Sequence, residues 1–231
     1  MPAIELGAGQ PAVFVGPMGC GKTNLIAWNL EDVRSAVVID SKRHPDEWAA
    51  WGARHGYVVT DDPRAISQHP LVVWQVHMHT LLDVAGYRKP GAPGYAWTDG
   101  LARIMKRGST VAVFDELAHQ LPAGRPHPSA VQILTQSRAY KISAWGGSQY
   151  ANRVETMILR GAVHCFAFRL NPVDLKYLTE HRGVDVSALA ALPDCAIPTC
   201  SSAGMPHSHG FGYHATNTPA WQLCEPVERV L

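Results

Sequence analysis

Gly16-Pro17-Met18-Gly19-Cys20-Gly21-Lys22-Thr23 fits G-x-x-x-x-G-K-[ST], the pattern of a phosphate-binding loop. Before it runs Pro11-Ala12-Val13-Phe14-Val15, short, apolar and β-branched, which predicts a buried strand. After it runs Asn24-Leu25-Ile26-Ala27-Trp28-Asn29-Leu30, which predicts a helix. Strand, loop and helix in that order give the pattern a mechanism. The glycines let the backbone close around an anion, and the loop amides point inward. Gly16 through Asn24 are therefore the expected phosphate cradle. Lys22 is expected to reach the β- and γ-phosphates, and the Thr23 hydroxyl to hold Mg²⁺.

A second signature lies downstream. Thr110-Val111-Ala112-Val113-Phe114 predicts another buried strand, and it ends in Asp115-Glu116. An apolar strand ending in two acids is the Walker B pattern. Asp115 is expected to assist Mg²⁺, and Glu116 to orient and deprotonate an attacking water.

The rest of the chain alternates in the same way. Strands are predicted at Ser35–Asp40, Tyr57–Thr60, Leu71–Val76, Lys141–Gln149 and Ala162–Leu170. Helices are predicted around Trp48 and Trp51, over Asp99–Arg107 with Asp99 or Thr98 as cap, over Ser129–Tyr140 with Ser129 as N-cap, and at Val154–Leu159, Asp174–His181 and Val186–Leu192. Ala130, Ile133 and Leu134 would mark the buried face of the Ser129 helix. Gly86 to Gly100, rich in Gly, Pro and aromatics, predicts an exposed loop. Ala196-Ile197-Pro198 followed by Gly210–His214 predicts a small C-terminal β-hairpin. The fold class is α/β, with a mainly parallel central sheet flanked by helices and its ligand site at the carboxyl ends of the strands. One domain over 1–231 is expected, with a core of about 11–195 and an extension of about 196–231.

Composition narrows the field. With 231 residues, 46% hydrophobic and 17% charged, the chain can build a core and does not read as disordered. The formal net charge of +1 gives no global basic field, so any nucleic-acid contact must be a local patch. Five cysteines, one of them in the phosphate loop, argue for reduced thiols rather than a disulfide framework. The N-terminus shows no secretory pattern, and no uncharged apolar run reaches the ~18–20 residues of a membrane span. A soluble protein of the cytoplasm or of a virion is expected.

The loop, Asp40-Ser41-Lys42, Phe114-Asp115-Glu116, Ser137-Arg138 and Gly147-Ser148-Gln149 occur in this order. The set resembles the FtsK–HerA superfamily of ring-forming, DNA-pumping ATPases, over roughly residues 11 to 195. The acid–lysine pair after strand two is usually Asp-Pro-Lys in that superfamily and is Asp-Ser-Lys here. The strand-ending amide is usually Thr-Gln and is Ser148-Gln149 here. Phe168-Arg169-Leu170 also looks like the family. The resemblance implies a RecA-like P-loop NTPase fold of the ASCE type, ATP and Mg²⁺ as cofactors, and a homo-oligomeric ring, taken as a hexamer. It implies Gln149 as γ-phosphate sensor and Arg138 as arginine finger toward the neighbouring subunit, with Arg153, Arg160 and Arg169 as rivals. A bare motor of this size looks most like the genome-packaging ATPases of tail-less, membrane-containing icosahedral viruses. Its partners would be DNA, taken as double-stranded and bound without regard to sequence, and a capsid or membrane vertex protein. Two alternatives stay open: a conjugation or repair motor of the same superfamily, and a P-loop nucleotide switch or small-molecule kinase.

Weaker signals complete the reading. Lys42, Arg43, Arg88, Lys89 and Arg125 could line a pore and hold DNA phosphates, with Arg88, Lys89 and Arg125 preferred. Cys195, Cys200, His207, His209, His214 and Cys224 match no tight metal-binding pair, so a plain hairpin is expected there. Trp28, Trp48, Trp51 and Trp145 are expected in the core or at a subunit interface.

Overall fold

The computed structural model describes residues 9–121, 126–192, 210–216, 218 and 220–227. In chain order the elements are β1 (Ala12–Val15), α1 (Lys22–Leu30), β2 (Ala36–Asp40), α2 (Ala50–Arg54, preceded by a wide turn over Pro45–Ala49), β3 (Val58–Thr60), α3 (Ala65–Gln68), β4 (Leu71–Gln75) and α4 (Met78–Leu82). Then come α5 (Pro93–Arg107), β5 (Val111–Phe114), α6 (Leu117–Gln120), α7 (Pro128–Thr135), β6 (Ser143–Ser148), α8 (Thr156–Gly161), β7 (His164–Ala167), α9 (Pro172–Arg182), α10 (Ser187–Ala190), β8 (Phe211–Ala215) and β9 (Gln222–Cys224).

The nine strands among the described residues join one sheet in the order β3-β4-β2-β5-β6-β1-β7-β8-β9. From β3 to β7 every pairing is parallel, and β8 and β9 add antiparallel strands at one border. Strands covered on both faces read as unbroken apolar runs, and β1, β2 and β5 are buried at every position. Side chains alternate between faces. Val13 and Val15 join one core with Trp97, Leu101 and Ile104 of α5 and Ile133 of α7. Ala12 and Phe14 join the other with Leu25 and Ile26 of α1 and with Trp48 and Trp51. Trp145 is also buried in that second core and Trp28 packs partly against it, so these tryptophans are core residues. Among the described residues no helix is long and apolar enough to cross a membrane.

Several predicted boundaries are corrected. The stretch Gly86–Gly100 is an exposed turn only over residues 88–91. Helix α5 starts at Pro93, a proline placed in the first turn, where its missing N–H costs nothing. Gly86, Tyr87 and Trp97 are buried. A Cβ on Gly100 would lie 2.0 Å from the Trp74 ring, and one on Gly94 2.1 Å from the Asp83 carbonyl oxygen. These glycines are packing residues, and composition alone cannot tell them from turn residues. The Asp83 carboxylate accepts the N–H groups of Gly86 and Gly94 and fixes the entry to the helix.

The cap of α7 is His127, whose Nδ1 accepts the Ser129 N–H, not Ser129 itself. That helix stops at Thr135, and Ser137–Tyr140 is a separate 3₁₀ turn. Ala130, Ile133 and Leu134 are buried as the spacing predicts. Strands β6 and β7 are shorter than the apolar runs that announce them. The C-terminal hairpin pairs β8 with β9 and docks on β7; residues 196–198 lie outside the described residues.

Candidate active site

The carboxyl ends of β1, β2, β5 and β6 converge on one cavity of about 410 Å³. Its walls include Met18, Gly19, Gly21, Lys22, Thr23 and Asn24 of the loop, Lys42, Asp46 and Glu47 after β2, Glu116 and His119 after β5, and Gln149 after β6.

The loop is anchored where β1 stops, by a Gly16 N–H bond of 3.1 Å to the Ser148 carbonyl. A Cβ on Gly16 would lie 2.7 Å from the Phe168 side chain and 2.8 Å from Cys20 Sγ, so only glycine fits. Gly19 and Gly21 have φ of 77° and 97°, in the region glycine enters without steric cost. Helix α1 has no side-chain cap at Gly21, so its first amides face the loop, where an anion would meet them. Lys22 is 8% exposed. Its ammonium donates to the loop's own carbonyls, Gly16 at 2.7 Å and Pro17 at 2.8 Å.

Asp115 and Glu116 sit opposite the loop. The Thr23 hydroxyl donates to Asp115 Oδ1 at 3.3 Å. Asp115 and Glu116 are each 2% exposed. Glu116 Oε1 is buried without a hydrogen-bond partner among the described residues. A buried carboxylate oxygen left unbonded is costly, so a partner such as water belongs there. A Cβ on Gly147 would lie 2.5 Å from the Asp115 carbonyl oxygen. β6 thus runs close to β5, and Gln149 and Glu116 line the same cavity. The turn beyond Gln149 is held by Asp174 Oδ1, which accepts the Asn152 N–H at 2.8 Å.

Lys42, one of the residues that could line a pore for DNA, enters this cavity: its Nζ lies 2.9 Å from Asp115 Oδ2 and 3.9 Å from Glu47 Oε2. Burial alone would depress its pKa, but the neighbouring Asp115 carboxylate holds it above the usual lysine range. Asp40 sets up that turn, with Oδ1 accepting from Lys42 N–H at 3.1 Å and Arg43 N–H at 2.8 Å, and Oδ2 from Gln75 Nε2 at 3.2 Å. Burial raises the Asp40 pKa, and these hydrogen bonds oppose the shift. Gln120 Nε2 braces the same turn through the Ile39 carbonyl at 2.7 Å. The acid–lysine pair was visible in sequence; the supporting amides Gln75 and Gln120, and the cavity residues Glu47 and His119, carried no local signal.

The remaining candidates are spread out. Arg138 is exposed on the 3₁₀ turn before β6, at the amino edge of the sheet. It is not brought to the cavity of its own chain. Arg153 is exposed on the carboxyl edge, in the turn after Gln149. Arg169 donates to the Leu192 carbonyl at 2.7 Å, and Arg160 approaches His181 Nδ1 at 3.3 Å. Arg88 and Lys89 are exposed on the carboxyl side, and the Arg43 guanidinium contacts the His77 ring. Arg125, Cys195, Cys200, His207 and His209 lie outside the described residues. His214 is bonded to Arg182 and the Thr218 carbonyl. Among the described residues no group of three His, Cys, Asp or Glu side chains could hold a metal ion.

No protein-family model matches the sequence, and no curated protein matches it either. Solved structures do. The genome packaging NTPase of Sulfolobus turreted icosahedral virus 2, in complex with sulfate, superposes with a TM-score of 0.69 at 15% identity, covering 97% of this chain and 100% of that one. The same NTPase in complex with AMPPCP gives 0.68 at 15% identity, covering 94% and 98%. A type VII secretion ATPase, EccC of Thermomonospora curvata, in complex with a signal sequence peptide, gives 0.52 at 15% identity, covering 97% of this chain and 39% of that one. The chain thus shares the fold of these ATPases, a mostly parallel sheet flanked by helices.

Proposed function

We propose that the chain is an ATP-hydrolysing motor that drives DNA into a preformed viral capsid, working as a homo-oligomeric ring in the host cytoplasm or on the virion. One observation carries the ATPase reading: a single sheet edge gathers a glycine loop with its lysine, a hydroxyl–carboxylate pair, a buried carboxylate with an unbonded oxygen and a strand-end amide. The packaging reading rests on likeness of fold to a viral genome packaging NTPase.

The residues fit the groups this reading needs. Thr23 and Asp115 already face each other and would hold Mg²⁺, while the loop amides and Lys22 would hold the phosphates. A bound divalent cation would offset phosphate charge. Lys22 would exchange its two loop carbonyls for phosphate oxygens, an ammonium on an anionic acceptor in place of an ammonium on neutral ones. Glu116 Oε1, unbonded at rest, orients a water and accepts its proton. The Gln149 amide can donate to one oxygen and accept from that water. No reaction at a second organic substrate is required, which sets this reading apart from a kinase.

The test is ATP hydrolysis with and without linear duplex DNA, alongside mass by light scattering. A multimer with DNA-stimulated turnover is expected. Lys22→Ala should lose nucleotide binding, whereas Glu116→Gln should bind nucleotide and lose turnover by ~10²-fold or more, the scale of a general base. A monomer indifferent to DNA would overturn the motor reading. Parental turnover in Glu116→Gln would overturn the site.

A further inference from the structure

Four carboxylates face the cavity or its metal acid: Asp46, Glu47, Asp115 and Glu116. Among the described residues two ammonium groups, Lys22 and Lys42, enter it from the walls. Both are held at rest. Lys22 is bonded to its own loop, and Lys42 sits on Asp115 Oδ2 at 2.9 Å. The other oxygen of Asp115 accepts from Thr23. Both oxygens of the carboxylate are therefore engaged, and one of them by a cation. A second cation cannot share that place without strong repulsion.

The turn carrying Lys42 is built to aim it. Asp40, Ser41 and Gln120 are 1%, 5% and 1% exposed. Asp40 accepts from the Lys42 and Arg43 amides, and Gln120 Nε2 donates to the Ile39 carbonyl and the Ser41 hydroxyl, which fixes the backbone at the end of β2. Arg43 then turns away in a left-handed conformation, φ 56°. From this braced turn Lys42 enters the cavity, while its side chain remains 28% exposed and so has room to swing.

We infer that Lys42 is a cis-acting positioning residue of the nucleotide site: it occupies Asp115 when the site is empty and turns to the phosphates when the carboxylate takes a divalent cation. This rests on the nucleotide-site reading above. Lys42 and the cation then compete for one carboxylate, and the antagonism is reciprocal. Loading the site moves the lysine charge toward the incoming anion.

The test uses the full chain without nucleotide, titrated with Mn²⁺ and followed by electron paramagnetic resonance. Lys42→Met should bind Mn²⁺ more tightly by roughly tenfold, within the 5- to 150-fold usual for coupled sites. Lys42→Arg, which keeps the charge, should stay near the parent. In EDTA, a fluorescent ATP analogue should bind Lys42→Met about tenfold more weakly than the parent, because Asp115 then faces the phosphates unneutralised. Lys42→Gln replaces the methionine variant should that one not fold. Parental Mn²⁺ affinity in the neutral variant overturns the inference. So does unchanged Mn²⁺ affinity with weakened duplex DNA binding, which would make Lys42 a DNA contact. If the parent chain binds no ATP analogue even with Mg²⁺, the nucleotide reading fails and takes this inference with it; if the parent binds it and only the Mn²⁺ shift is missing, this inference alone fails.

Discussion

His127 and His164 show how much a single buried side chain can decide. His164 is 5% exposed, with Nδ1 on the Tyr213 hydroxyl at 2.8 Å and Nε2 on the Gln10 amide oxygen at 2.7 Å. Burial, helped by the Arg182 charge, pushes its pKa down to about 4, and burial does the same to His127. An unfolded histidine titrates near 6.5. Between pH 6.5 and 4 the unfolded chain therefore holds more protons than the folded one, so stability falls as pH falls through that window. The urea midpoint should drop from pH 7 to pH 4.5, and His164→Gln should flatten the drop. An equal slope in the variant would show that His164 is not responsible. The gathering of Lys22, Thr23, Asp115 and Glu116 at one place was legible in the sequence because chemistry and spacing coincide. The contact of Lys42 with Asp115 was not, because the two meet only where β2 lies beside β5, and no local pattern encodes that neighbourhood.

Whole elements were legible where burial is complete. The strands β1, β2 and β5 announce themselves because a parallel strand covered on both faces needs apolar side chains throughout. The elements misjudged are those in which glycine packs instead of turning. Helix α5 lies against β4 so closely that Trp74 stacks on Trp97, ring centroids 5.5 Å apart, and fills the space over Gly100. Gly100→Ala would place a methyl group 2.0 Å from that ring. In an exposed helix the same change would stabilise by roughly 1 kcal/mol. Here it should destabilise by about 1–3 kcal/mol through overpacking, read as a lower urea midpoint. Trimming the ring in Gly100→Ala/Trp74→Leu should recover part of the alanine cost, a coupling expected only between touching residues. A stabilised single variant would show that α5 stands further from the sheet.

For the whole molecule, the ring proposal requires an exposed arginine that can reach a neighbouring copy. Exposed Arg138 stands at the amino edge of the sheet, and exposed Arg153 at the carboxyl edge, in the turn that follows Gln149. Strands of four to six residues separate those edges by roughly 13–20 Å at 3.3 Å per residue. Any contact of Arg138 with phosphate must therefore come from another copy. Under the ring proposal, Arg138→Ala should lose turnover while keeping nucleotide affinity and mass by light scattering. Loss of affinity would place Arg138 elsewhere, and loss of turnover in Arg153→Ala instead would name the rival. Strand content could be read along the chain, but strand order could not. The first strand lies inside the sheet, with Ala12 beside Trp145 on one flank and His164 on the other. A ribosome making this chain releases β1 long before either flank exists. About 130 residues must follow, on the order of 10 s at ordinary elongation rates. Until β6 emerges, the Gly16 amide has no Ser148 carbonyl to tie it down, so a nascent chain stalled short of residue 143 should retain no nucleotide.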